Sequence, residues 1–223
     1  MRVLGVDGCR GGWLVADVTD DDQVRWEWTT DIGDVLRRPA DVVAIDIPIG
    51  LPDTGVRACD RQARQALGRR GVTVFPAPVR AVLDCTTYAE ARQLLATVGG
   101  PSMSAQAFGI VAAVRQVDAQ VVRDDEARVV EAHPELAFAA MSDGTPLPGK
   151  RTAEGAMLRR ELLGTWLPDV SEVVADAPSR ARPDDVHDAL ACAWVARRWR
   201  AGTACLYGDG SRDARGLLMR IVA

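Results

Sequence analysis

Three short apolar runs in this chain each end on an acid. Val3-Leu4-Gly5-Val6 closes on Asp7, the β-branched run from Asp41 to Ile47 carries Asp46, and the short run over 127–131 closes on Glu131. Runs of this kind, bounded by turn residues, read as strands buried in a sheet. An acid at the end of such a run costs free energy unless it is paired or put to use. In an open α/β sheet, ligands bind at the carboxyl ends of the parallel strands, near the switch in strand order. Parallel and adjacent strands would therefore bring these carboxylates together.

The rest of the chain fits around those runs. Asp7-Gly8-Cys9-Arg10-Gly11-Gly12 is a glycine-rich turn, and Trp13–Val18 is a second strand. Val24, Trp26 and Trp28 alternate with Arg25 and Glu27, the period of a half-buried strand. Asp31–Leu36 forms a short helix, and Pro48 and Pro52 stop the Asp46 run. The middle is helical: Arg57–Arg70, Tyr88–Thr97, then one long helix opening at Ser104 with Ile110, Val114, Val117 and Val121 at helical spacing. Thr152–Leu163 and Asp184–Arg200 are further helices. The last of these has Pro183 before it, acids in its first turn and Arg197, Arg198 and Arg200 at its end, as the helix dipole favours. Val170–Val174 fits either element, and Ala204–Tyr207 reads as an edge strand. This order predicts an α/β fold: a mixed sheet with its first three strands antiparallel and later strands parallel, flanked by helices. We expect one domain over 1–223 with a helical insertion at about 53–126.

Composition excludes several classes. Hydrophobic residues make up 48% and charged residues 26% of the 223, which excludes a disordered chain. No apolar run approaches the ~18–20 residues that span a bilayer, so no membrane partner is expected. A net charge of −4 excludes a uniformly basic nucleic-acid coat. The five cysteines, Cys9, Cys59, Cys85, Cys192 and Cys205, are odd in number, widely spaced and form no C-x-x-C. They read as reduced thiols of a cytoplasmic protein. The two histidines, His133 and His187, lie too far apart for a zinc signature.

A fourth acid comes from the start of the last helix, at Asp184, Asp185 or Asp188. Asp184 and Asp185 suit capping and the dipole, whereas Asp188 lies a turn deeper beside the apolar Ala189-Leu190. Four carboxylates with no lysine near them in sequence favour a hard divalent cation, Mg²⁺ or Mn²⁺. Asp7, Asp46, Asp185 and Asp188 are the candidate ligands. Glu131, Glu135, Asp185 and Asp188 are the alternatives for completing the acidic site.

The segments GVDGCRGGW, AIDIPIGLP, RACDRQARQALGRRGVTVFPAPVR, EAHPELAF and DDVHDALACAWVA resemble, in this order, the domain of unknown function 429 family. The resemblance spans nearly the whole chain. It implies an RNase H-like fold with the first and fourth strands adjacent. It implies a metal centre built from Asp7, Asp46 and a C-terminal helix acid, Asp188, with Glu131 similarly placed. It also implies a nuclease, in which Asp7, Asp46, Glu131 and Asp188 are the catalytic acids and nucleic acid is the partner. Two other readings share the fold: a phosphotransferase of the sugar-kinase-like branch, with Gly8, Gly11 and Gly12 cradling ATP, and a non-catalytic nucleotide- or protein-binding module.

Basic residues supply candidate substrate contacts. Arg57, Arg61 and Arg64 fall on one helical face, in a stretch from 57 to 80 with six arginines and one acid. They read as a phosphate-contacting surface or as a solvated helix face. Phe75-Pro76-Ala77-Pro78 is stiff and reads as a cleft wall or a plain connector. Lys150, the only lysine, is a further phosphate contact. It ends a G-x-x-x-x-G-K match over 144–150 that is no Walker loop, because Arg151 follows and Pro146 and Pro148 remove backbone donors.

Overall fold

The computed structural model describes residues 1–98 and 100–223. The strands are β1 (Arg2–Cys9), β2 (Gly12–Thr19), β3 (Val24–Thr29), β4 (Val42–Ile45), β5 (Val129–Glu131), β6 (Leu206–Tyr207) and β7 (Ile221–Val222). The helices are α1 (Ile32–Leu36), α2 (Ala58–Ala66), α3 (Tyr88–Val98), α4 (Ala105–Phe108), α5 (Val111–Gln120), α6 (Pro134–Met141), α7 (Ala153–Gly164), α8 (Val170–Ala175) and α9 (Pro183–Ala201). Five strands form one sheet in the order β3-β2-β1-β4-β5. β1, β2 and β3 are antiparallel neighbours, and β1–β4 and β4–β5 are parallel pairs. This is the mixed α/β sheet of the RNase H-like arrangement. β6 and β7 make a separate ribbon.

Strand alternation divides the sheet into two buried faces. Leu4, Val6, Val15, Val43, Ile45 and Val129 face a core completed by α1, α3, α5 and the 3-10 turn over 80–84. Val3, Leu14, Ala16, Val42, Ala44 and Val130 face α6, α7, α8 and above all α9. The segment between β4 and β5 thus covers one sheet face with its own apolar residues and shares a continuous core with it.

Helix α9 lies closest to the sheet. At Gly5 a β-carbon would overlap the Ala189 carbonyl oxygen and the Ala193 nitrogen. Glycine on β1 and alanines on α9 therefore let the two backbones meet. Pro183 occupies the first turn of α9, and Gly202 ends it with φ 70°.

Two helical expectations change. The long helix expected from Ser104 is two: Ser104 caps α4, Gly109 closes it, and the chain restarts as α5. Residues 134–141 form α6, which the periodicity does not mark because the segment is apolar on most sides. Pro134 starts it with a pre-set φ. The undecided Val170–Val174 is helical. Among the described residues, no helix is long and apolar enough to cross a membrane.

Candidate metal centre

Register and alternation place the acids. Val6 pairs with Ile45 across the parallel β1–β4 ladder, and the Asp46 amide donates to the Val6 carbonyl at 2.9 Å. Asp7 and Asp46 are thus the next residues on neighbouring strands. Asp7 follows Val3 and Gly5 in phase, and Asp46 follows Val42 and Ala44, so both turn toward α9. Asp188 meets them from that helix. Carboxylate oxygens of Asp7, Asp46 and Asp188 lie within 4.8 Å of one another. Asp7 and Asp188 are buried and Asp46 is half-buried.

Three acids this close, out of water, resist ionising together. Burial raises the Asp7 pKa well above the usual carboxylate range, and Asp188, Asp46 and Asp185 raise it further. Burial pushes Asp46 up to about 6 and Asp188 up to about 7, against the pull of Lys150. The expected site without lysine is therefore corrected. The loop before α7 folds back, and the Lys150 ammonium bonds Asp188 Oδ2. Burial works against that ammonium, but Asp188, Asp46 and Asp7 outweigh it and raise its pKa. One cation thus faces three carboxylates, and among the described residues Asp188 Oδ1 is buried with no hydrogen-bond partner. Asp188 is 3% exposed, so water does not satisfy that oxygen in bulk. An unsatisfied oxygen among carboxylate oxygens fits a hard divalent cation. Buried carboxylates here could hold one.

Glu131 lies elsewhere. It pairs with Ile45, not with Asp46, and so faces the opposite side of the sheet. There Arg57 Nη1 and Nη2 each donate to it at 2.7 Å, and the Ile49 amide donates to Oε2 at 2.7 Å. Arg57 also bonds Asp60 and the carbonyls of Ile49 and Gly50. Burial opposes the Arg57 charge, yet Glu131 and Asp60 raise its pKa well above its usual value. At 2% exposure, Arg57 is no surface contact for phosphates: the helix begins just after it, which turns its side chain inward. Arg61 and Arg64 do sit on the exposed side of α2. Arg61 donates to the Val56 carbonyl, and Arg64 Nε donates to the Val74 carbonyl at 2.9 Å.

Asp185 stands at the edge of the centre. Its Oδ2 accepts from the Arg182 amide at 3.1 Å, a capping contact. With Asp7 and Cys9 it forms a second group whose ligand atoms lie within 4.8 Å. Burial, with Asp7, pushes the Cys9 thiol up to about 12, so it stays protonated and is the poorer ligand set. Glu135 is occupied: both its oxygens accept from Arg159 Nη2, at 2.8 and 2.9 Å, and Arg70 lies at 3.1 Å.

The centre opens into a cleft of about 480 Å³. Asp7, Asp46, Asp188 and Lys150 line it, with Arg70 and Arg151 and the further carboxylates of Asp60, Glu131 and Glu135. His133 lines it too. Burial lowers its pKa, keeping the ring neutral, and its Nδ1 is buried without a partner. Asp7 and Asp46 were legible from strand ends. The positions of Lys150 and Arg70 carried no signal in sequence, because loops and 3-10 turns bring them in.

A family model described as "Protein of unknown function (DUF429)" matches residues 5–212. Neither a curated protein nor a solved structure matches the chain.

Proposed function

This chain belongs to the DUF429 family, and we propose that it is a divalent-metal-dependent phosphodiesterase acting on nucleic acid. The supporting observation is the all-oxygen trio of Asp7, Asp46 and Asp188 with its unsatisfied Oδ1, set at the carboxyl ends of two adjacent parallel strands. The trio would hold Mg²⁺ or Mn²⁺. Such an ion, when bound, lowers the pKa of water and offsets negative charge on a phosphate.

The chain's own groups do the rest. Asp7 and Asp46 are fixed by the sheet, and Asp188 by the close contact of α9 with β1, so the trio needs little rearrangement on binding. Lys150 holds a positive charge over Asp188, and Arg70 and Arg151 hold theirs along the cleft, where substrate phosphates would lie. The neutral His133 offers a ring nitrogen to a ligand hydroxyl or amino group. Glu131, with both oxygens taken, keeps β5 and the start of α2 together.

The test is cleavage of labelled single-stranded, duplex, hybrid and branched substrates with Mg²⁺ and with Mn²⁺. Cleavage by the wild type that is lost in a folded Asp7→Asn variant is expected. Cleavage that survives in Asp7→Asn contradicts the proposal. Metal-dependent phosphoryl transfer from ATP without cleavage would replace it with the phosphotransferase reading.

A further inference from the structure

Part of the cleft lining is not explained by the acids. Its lining also has apolar residues, Ile47, Val74, Ile110 and the pair Val72 and Phe75. Val72 is 74% exposed and Phe75 37% exposed, and both line the cleft. The two stand as a ridge. On its far side lies a second hollow of about 370 Å³, also lined by Val72 and Phe75, together with Arg64, Ser102 and Ser104. Cations therefore flank the ridge on both sides: Lys150, Arg70 and Arg151 in the cleft, Arg64 in the hollow. The stiff Phe75-Pro76-Ala77-Pro78 segment holds it in place, with the Ala77 amide donating to buried Asp60 at 3.0 Å.

We infer that this ridge is a stacking platform for the bases of an unpaired strand, which makes single-stranded nucleic acid the substrate class. The inference rests on the proposed phosphodiesterase reading for the identity of the acidic end. An exposed aromatic side chain near guanidinium and ammonium groups is how proteins hold single strands, since every base presents a π-face whatever its sequence. Phosphates would follow the arginines and Lys150, with a divalent cation offsetting the carboxylates of the cleft, while bases would lie on the apolar wall. Two hollows sharing one ridge suit consecutive nucleotides better than one free nucleotide. A base in a duplex reaches the ridge only after it is unstacked and unpaired, so the duplex is disfavoured.

The experiment is fluorescence anisotropy with Ca²⁺ in place of Mg²⁺, on the full chain. The probes are a short labelled mixed-sequence single strand, the same strand as a duplex, and an abasic strand of equal phosphate count. Expected is tight binding of the single strand only. Loss of Phe75 stacking in Phe75→Ala should weaken it about five- to hundredfold, and Phe75→Trp should restore it. Phe75 is partly exposed, and melting curves check that both variants fold. Equal binding of duplex or abasic strand, or binding indifferent to Phe75→Ala, overturns the inference even if the protein cleaves duplexes. Phe75-dependent binding of the single strand without any cleavage upholds it and removes the phosphodiesterase reading instead.

Discussion

Two buried acidic clusters flank the carboxyl ends of β4 and its neighbours, on opposite faces of one sheet. On one face, Glu131 and Asp60 surround Arg57, whose guanidinium donates to both carboxylates and to two backbone carbonyls. On the other, Asp7, Asp46 and Asp188 share one ammonium, and an Asp188 oxygen has no partner. The first cluster is closed: its carboxylate oxygens accept from Arg57 and from the Ile49 and Ala77 amides, so none is left for a ligand. The second is open, because one ammonium meets three carboxylates and an Asp188 oxygen is left unmatched, although residues of both clusters line the cleft. Proximity of acids to a strand end does not separate the two. Satisfaction of their oxygens does.

The largest effect should come from the closed cluster. Arg57→Met leaves two buried carboxylates without their cation and should cost about 3–5 kcal/mol of unfolding free energy. Denaturant melts measure this, and a loss comparable to that of a surface arginine would break the contrast. Next is the contact that positions Asp188. Gly5→Ala forces a methyl group between β1 and α9 and should cost about 1–3 kcal/mol, with weakened Mn²⁺ binding in the protein that still folds. Unchanged metal affinity would mean that α9 does not set the trio.

The Lys150 ammonium competes with a cation for Asp188. Lys150→Met should therefore tighten Mn²⁺ binding about tenfold, equivalent to about 1.4 kcal/mol, in calorimetric titration at constant pH. Weaker binding would show that the lysine supports the site. The smallest effect is on pH dependence. Asp46 at about 6 and Asp188 at about 7 retain protons that the unfolded chain gives up above about pH 4. The folded state thus binds more protons across this window, so stability falls as pH rises from about 4 through 7, and Glu131, pushed up to about 7, and the raised Asp7 add to the fall. Melting temperatures without divalent cation should show the fall, and Asp188→Asn should lessen it. A rise over the same window would sharpen the comparison differently, by showing that the open cluster is fully compensated.

Much of this arrangement was legible. The apolar runs located β1, β4 and β5, and the turn residues ordered the first three strands. Asp7 and Asp46 followed from those runs. Glu131 shows where such reasoning stops. It ends a strand as they do, yet a one-residue difference in register turns it to the other face, and register between parallel strands is set by packing across long crossovers. Arg57 failed for a related reason: a helical face was drawn through it, but it precedes the first turn of α2. Lys150 is distant in sequence from Asp7, Asp46 and Asp188 until the loop before α7 folds over α9. The apolar α6 hides its period and so conceals where Glu135 lies, whereas the charge order and flanking Pro and Gly of α9 declared it plainly.

The central claim is that the open cluster, not the closed one, is the metal centre. Calorimetric titration of Mn²⁺ into the wild type, Asp7→Asn and Glu131→Gln tests it most directly, with melting curves confirming that each protein folds. The account predicts binding to the wild type and to Glu131→Gln, and none to Asp7→Asn. Binding that persists in Asp7→Asn, or that disappears in a folded Glu131→Gln, would contradict it.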